Sequence, residues 1–343
     1  MRAERAAKSE KKSSKKDKKV EGNKKEANKK EHCLSASRVF DSALTRKRRK
    51  RKMKNAIKTI ATAVLAFALV GCSSTSTGST STKTSGEDKT IKVGATAVPH
   101  AEILNNVVKD VLAKDGWTLE VTEFTDYVTP NTALEEGSLD ANYFQTLGYM
   151  NDQNTSKGLH LAAAVGVHIE PMGIYSATVT DIKDLKDGAT ISLPNDADNL
   201  DRGLRVLVQA GLLEDPGTDE YVTETTFNGN KELNPHNYDI QPVEAAQVPL
   251  TLEDVDAVVA NGNYALEADL PSKHPAIYVE QFDQETSVKR TNYVVVKDEN
   301  LDTEKTKALV KAITSDEVKS YIEDTYKGSV IASFIDTEGN SVD

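Results

Sequence analysis

The sequence predicts an α/β protein of two layers with a binding site between them. Three observations lead there. Strand-like and helix-like patterns alternate from Ile91 onward. The alternation starts afresh near Ala189, so two such units are joined in sequence. No short-period repeat runs through them, which excludes solenoids and propellers.

In the first unit, Ile91, Val93 and Ala95 alternate with Lys92 and Gly94, as in a strand. Pro99 and His100 open a helix to about Lys114, with Ile103, Leu104, Val107, Val108, Val111 and Leu112 at helical spacing. Trp117 to Phe124 reads as a strand, and Thr129-Pro130 as the N-cap and first residue of a short helix ending before Gly137. A loop rich in aromatics is expected from Asn142 to Met150, then strands from Leu159 to Val167 and from Gly173 to Ala177. This order predicts a mostly parallel sheet.

The second unit begins with a strand from Ala189 to Leu193. Asn199 caps a helix carrying Leu200, Leu204, Leu207 and Val208, closed by Gly211. Thr218 to Asn237 is irregular. Strands come next at Asp239–Val243, Val255–Ala260, Ile277–Glu280 and Tyr293–Val296, then helices at Thr303–Thr314 and Ser315–Tyr326. The first lobe is expected to comprise 89–175 plus 287–343, and the second 176–286.

Charge divides the 343 residues differently. Residues 1–52 hold 21 Lys and Arg against 7 Asp and Glu, without proline and with few large apolar residues, so they read as a basic disordered extension. Met53 to Gly71 carries Lys54 and Lys58, no acid, and an apolar run from Thr59. The run has the length of a signal-peptide core and is too short for a bilayer-spanning helix, which needs about 20 residues. A basic extension makes little sense ahead of a signal peptide. It is best read as a translation start drawn too far upstream, with Met53 the expected start. From Cys72 onward the chain keeps 20 of its 43 basic and 46 of its 53 acidic residues. Such acidity disfavours nucleic acid and anionic lipid as partners of its surface. Residues 73–89 are a Ser/Thr/Gly tether with no apolar residue.

The chain has two cysteines, Cys33 and Cys72. Neither lies in the folded part, so no disulfide and no thiol nucleophile is expected there. There is no Gly-rich phosphate loop and no G-x-S-x-G. His100, His160, His168, His236 and His274 are scattered, with no i, i+4 pair. Enzymatic chemistry and a cofactor are not expected. His160 and His168 leave open a metal-binding alternative if a carboxylate meets them in space.

Three places point to ligand binding. Pro194 to Arg202 (PNDADNLDR) runs from strand to helix N-terminus, where free N–H groups and the helix dipole favour an anion. Arg202, in the first turn, suits bidentate capture of a carboxylate, or else pairs with Asp198 or Asp201 at the surface. Asn261 directly succeeds the apolar strand Val255–Ala260, at the strand end where α/β proteins bind ligands, or else makes an ordinary Asn-Gly turn. Tyr127, Phe144 and Tyr149 form either a pocket wall or core packing.

Leu69-Val70-Gly71-Cys72 resembles a bacterial lipobox, whose cysteine takes a diacylglycerol thioether and becomes the new N-terminus. From Ile91 to the last helix the chain also resembles the MetQ/NlpA family of methionine-binding lipoproteins. The matching stretches are Pro99-His100-Ala101, EFTDYVTPN (123–131), LDANYFQ (139–145), EPMGIYS (170–176), LKDGAT (185–190), Pro194-Asn195-Asp196, EAAQVP (244–249) and NGNYALE (261–267). The resemblance implies a two-lobed periplasmic-binding-protein fold, type 2 like, closing over one ligand in the cleft. It implies L-methionine or a related amino acid as ligand, an ABC permease with its ATPase as partners, and a lipid-anchored monomer on the extracytoplasmic face of the cell membrane. Family roles fall on Arg202 for the α-carboxylate, on Asn261 and Asn292 for carboxylate and ammonium, and on Tyr127, Phe144 and Tyr149 for the side chain. Where the family pattern reads Phe-Gln-His, this chain reads Phe144-Gln145-Thr146. A wider and differently polar side-chain pocket is therefore expected, with another amino acid or a Met-containing dipeptide as the alternative ligand. A surface interaction or adhesion lipoprotein is the remaining alternative.

Overall fold

The computed structural model describes residues 88–342. The basic extension, the signal-like segment, Cys72 and the tether up to residue 87 lie outside the described residues.

Two sheets organise this part. The first contains β1 (Thr90–Thr96), β2 (Thr118–Phe124), β3 (Ala141–Thr146), β4 (Leu161–Ile169), β10 (Thr291–Lys297) and β11 (Ile331–Ile335), in the order β11-β4-β10-β3-β1-β2. The second contains β5 (Gly173–Tyr175), β6 (Thr190–Pro194), β7 (Asp239–Val243), β8 (Ala257–Ala260) and β9 (Tyr278–Val279), in the order β7-β6-β8-β5-β9. Each sheet has its own apolar core. In the first lobe Ile91, Val93, Leu104 and Val108 pack with Val294, Ile313 and Ile322; in the second Ile174, Ile191, Leu193, Leu204, Phe227 and Val259 pack together.

The expectation of mostly parallel sheets is corrected. β1 pairs in parallel with β2 and β3, and β6 with β7 and β8. β10 is antiparallel to both β3 and β4, and β5 is antiparallel to β8 and β9. The reason is the path of the chain. β4 carries it out of the first lobe and β10 brings it back beside β4, so these two neighbours must run in opposite directions. One end of the expected lobe boundary moves: Gly173–Tyr175 hydrogen-bonds within the second sheet, so the first sheet ends at Ile169 rather than at 175, and it resumes at Thr291.

The helices that matter for the site are α1 (Lys109–Lys114), α2 (Thr129–Glu135), α3 (Leu147–Lys157), α4 (Ala197–Gln209), α5 (Gly262–Glu267) and α6 (Gln284–Arg290). The aromatic stretch 142–150, expected as a loop, is the wholly buried strand β3 running into α3. Thr146 caps α3, accepting from Tyr149 N–H at 3.3 Å. The cap of α4 is Asp196, not Asn199; its carboxylate accepts the Asn199 N–H at 3.0 Å. The helix expected from Pro99 runs through to Lys114, wound more widely over Ala97–Ala101 and Leu104–Val108 before the regular turns of α1; the non-helical residue is Val98, just ahead of Pro99. Among the described residues no helix is long and apolar enough to cross a membrane.

Candidate functional site

Between the sheets lies a small cavity lined by residues of both lobes. All seven residues singled out from the sequence border it: Tyr127, Phe144, Thr146 and Tyr149 from the first lobe, Arg202 and Asn261 from the second, and Asn292 on β10. Gln145, Glu170, Asn199, Gly262 and Asn263 also line it and were not anticipated.

Arg202 is 4% exposed, so the surface pairing with Asp198 or Asp201 does not occur. The helix turns it inward, where its Nε donates to Glu280 at 3.0 and 3.1 Å and its Nη2 donates to the same carboxylate at 2.6 Å. Nη2 also donates to the Glu170 carbonyl at 2.9 Å. This fork, in a buried setting, fixes the guanidinium plane. It leaves Nη1 without a protein acceptor among the described residues.

Asn261 belongs to a chain whose polarity can be read off. The Asp196 carboxylate only accepts when ionised, so Asn199 Nδ2 donates to it at 2.9 Å and Asn199 Oδ1 faces away. Asn261 Nδ2 donates to that oxygen at 2.7 Å. Asn261 Oδ1 is then a buried acceptor with no partner among the described residues. Asn263 is the converse: its Oδ1 accepts from Tyr127 O–H at 2.6 Å, and its Nδ2 is a buried donor with no partner among the described residues. Native interiors leave few such atoms unpaired, and here an acceptor and a donor open on one cavity. Burial pushes the Asp196 carboxyl up to about 6, against the hydrogen bonds from Asn199, which lower it.

The aromatic wall is a cluster. Tyr127 stacks on Tyr264 at 4.9 Å between ring centres and meets Phe144 at 5.8 Å and Tyr149 at 5.7 Å. Tyr127 O–H reaches across the cleft to Asn263, and Tyr264 O–H donates to the Thr125 carbonyl at 3.3 Å. The expected widening beside Thr146 is partly filled from the opposite lobe. The Asp198 carboxylate lies 3.5 Å from the Thr146 hydroxyl, takes the Tyr221 O–H at 3.0 Å, and pairs with Arg290 at 3.3 Å. A Cβ on Gly148 would come 2.4 Å from Asp198, so this approach needs glycine there.

Behind the cavity lies a buried polar cluster where the chain crosses between lobes. Glu170 accepts from His168 Nε2 at 2.6 Å and lies 3.3 Å from His100 Nε2. His100 Nε2 is also 3.2 Å from Asn292 Oδ1. Thr96 Oγ1 meets His100 Nδ1 at 2.8 Å, and the Tyr143 hydroxyl meets His168 Nδ1. Burial lowers both imidazoles, His100 to about 4 and His168 to about 3, and raises Glu170 against the pull of His100 and Arg202. The carboxylate foreseen near His168 is thus Glu170, while His160 pairs elsewhere with Glu135 at 3.1 Å. His100, His168 and Glu170 are a trio of metal-ligating types, but the 2.6 Å contact is that of a hydrogen bond within the cluster. Gly262 lets α5 pass close by; a Cβ there would meet Glu170 Cβ at 2.6 Å. His168 and Glu170 alternate along the extended chain, so both face the same side, and that spacing was the available signal for the pair.

Comparison with known proteins places this geometry. A family profile described as NlpA lipoprotein matches residues 91–334. The methionine-binding lipoprotein MetQ of Bacillus subtilis is 37% identical over 246 residues, covering 71% of this chain and 88% of that protein. A crystal structure of a nutrient-binding protein from Burkholderia cenocepacia bound to methionine is 39% identical with a TM-score of 0.65, covering 71% of this chain and 100% of that one. The substrate-binding protein of a methionine transporter from Streptococcus pneumoniae is 32% identical with a TM-score of 0.65, covering 71% and 95%. The architecture is therefore the two-lobed periplasmic-binding-protein fold that the sequence predicted.

Proposed function

This chain belongs to the NlpA lipoprotein family, and from that premise we propose that it is the substrate-binding lipoprotein of an ABC importer for L-methionine or a closely related amino acid. One observation carries the reading: a single cavity offers, among the described residues, an unpaired acceptor, Asn261 Oδ1, an unpaired donor, Asn263 Nδ2, and an arginine whose bonds run through Nε and Nη2 and leave Nη1 over. A ligand bearing both an ammonium and a carboxylate satisfies all three. Arg202, with Asn263 and Asn292, takes the carboxylate. Asn261 takes the ammonium, and the Glu170 carboxylate supplies its counter-charge. Tyr127, Phe144 and Tyr149 pack on the side chain, and a thioether sulfur suits such rings.

The ligand is bound and handed on unchanged to a permease and its ATPase. Diacylation at Cys72 anchors the monomer on the extracytoplasmic face of the cell membrane, with the Ser/Thr tether as spacer. A second reading keeps the role and changes the ligand, because Asp198 behind Thr146 makes the side-chain end polar. Calorimetric titration of residues 73–343, unfolded and refolded to strip carried-over ligand, decides between them. Submicromolar binding of L-methionine is expected. Silence toward methionine with a response to another amino acid or a Met-containing dipeptide selects the second reading, and silence toward every one of them overturns both.

A further inference from the structure

The residues that touch the cavity do not by themselves decide what it binds. A primary amide is donor at one end and acceptor at the other, and Asn292 could present either. Its orientation is set from behind. His100 Nε2 faces two acceptors, Asn292 Oδ1 at 3.2 Å and Glu170 Oε1 at 3.3 Å, so this nitrogen carries the hydrogen. His100 Nδ1 then accepts from the Thr96 hydroxyl at 2.8 Å. With Oδ1 turned back to the imidazole, Asn292 Nδ2 has no protein acceptor among the described residues, and the side chain borders the cavity.

We infer that His100 is a positioning residue, holding Asn292 so that the cavity is met by an N–H donor and thereby setting its preference for a carboxylate over an uncharged group. His100 itself is fully buried and is not among the residues bordering the cavity. His168 plays the matching part for Glu170: its Nε2 donates to the carboxylate at 2.6 Å while Tyr143 holds the far nitrogen. Low basicity suits the role, since burial keeps His100 neutral down to about pH 4 and its tautomer stays constant over ordinary pH. This inference rests on reading the cavity as an amino-acid site, and its test separates the two.

Two variants of similar size split the imidazole in half. His100→Gln places an amide N–H near the Nε2 position and keeps the donor to Asn292. His100→Asn keeps a polar group near Thr96 and cannot reach Asn292. The readout is the ratio of dissociation constants for L-methionine and L-methioninamide, whose carboxylate is replaced by a group that also donates. Wild type and His100→Gln are expected to share a strong preference for methionine. In His100→Asn the Asn292 amide is free to turn over, and the preference should fall about 10-fold or more, the size of one lost charge-assisted hydrogen bond. If both variants weaken both ligands alike and leave the ratio unchanged, His100 is only structural and the inference fails. Should the variants not fold, nitrogen-15 spectra of the wild type decide. A protonated Nε2 and bare Nδ1 on His100 support the inference, and the opposite tautomer or an imidazolium at neutral pH overturns it. Failure of wild type to bind any amino acid would instead strike the functional reading.

Discussion

Arg202 is the natural residue to mutate, and the structure says that the obvious substitution would mislead. Arg202 and Glu280 are 4% and 6% exposed and joined by three hydrogen bonds. Arg202→Ala removes the ligand contact and also strands Glu280, a buried carboxylate. Breaking a buried pair from one side costs about 3–5 kcal/mol. For a fold of this size that is roughly 6–20 °C of melting temperature. Loss of binding could then reflect loss of the folded state. The paired variant Arg202→Met/Glu280→Gln removes both charges, and a glutamine oxygen can still accept the Met172 N–H now held at 2.9 Å. Removing both partners of such a pair is near neutral, within about 1–2 kcal/mol. Its melting point should lie well above that of Arg202→Ala. Its affinity for L-methionine should nevertheless fall about 10- to 150-fold, the worth of a hydrogen bond to a charged group at about 1.5–3 kcal/mol. Thermal melts and calorimetry on the three proteins make the comparison. A folded double variant that binds methionine as tightly as wild type would refute the assignment of the ligand carboxylate to Arg202.

Other outcomes rest on neighbouring features. Gly148→Ala drives a Cβ into Asp198 and should cost roughly 1–3 kcal/mol in a thermal melt; the cost should shrink in an Asp198→Ala background, and an equal cost in both backgrounds would show that the close approach is not the cause. Asp196→Asn keeps the α4 cap. Because the folded Asp196 carboxyl lies near 6, above its ordinary 3.8, the native state binds the extra proton between those values and the ionised form is a burden at neutral pH. The substitution should therefore stabilise at pH 7.5 by up to about 3 kcal/mol, less so far as water reaches this partly exposed side chain, and the gain should vanish below about pH 4; a gain independent of pH would contradict the placement. Cys72→Ser should move the protein expressed in a bacterial host from the detergent phase to the aqueous phase in a cloud-point partition, and an unchanged partition would argue against lipidation.

The site was more legible than its surroundings, for a physical reason. Arg202 and Asn261, which border the cavity, stand out in the sequence because strand ends and helix starts are marked by local patterns. What the sequence could not reveal was what faces them. Glu280 is 78 positions from Arg202, and no local period links them. Asn199 looked like a cap because it starts an apolar helix; Asp196 takes that role, and Asn199 is left to steer Asn261. The stretch 142–150 reads as a loop because β3 is buried on both faces and therefore lacks alternation. α3 was missed because Leu147–Lys157 has no apolar stripe, only Tyr149, Met150 and Gln153 being buried. β11 offers no distinct signal, since it is a half-exposed edge strand that pairs with β4 on one side and with Ser341 only through a single bridge.

The strands β4 and β10 lie side by side and are the two routes by which the chain passes between the lobes. Glu170 lies just past the end of one and Asn292 sits at the start of the other, both at the cavity wall. Points near an axis of rotation hardly move, while points far from it sweep wide arcs. A rotation that parts the lobes about these strands leaves Glu170 and Asn292 nearly at their present spacing and separates Arg202 from Tyr127. Such a rotation would give the cavity a stationary floor and two travelling walls. On the function proposed above, an amino acid entering an open cleft would find its first grip at the pivot, and the rings and the guanidinium would reach it only as the lobes met.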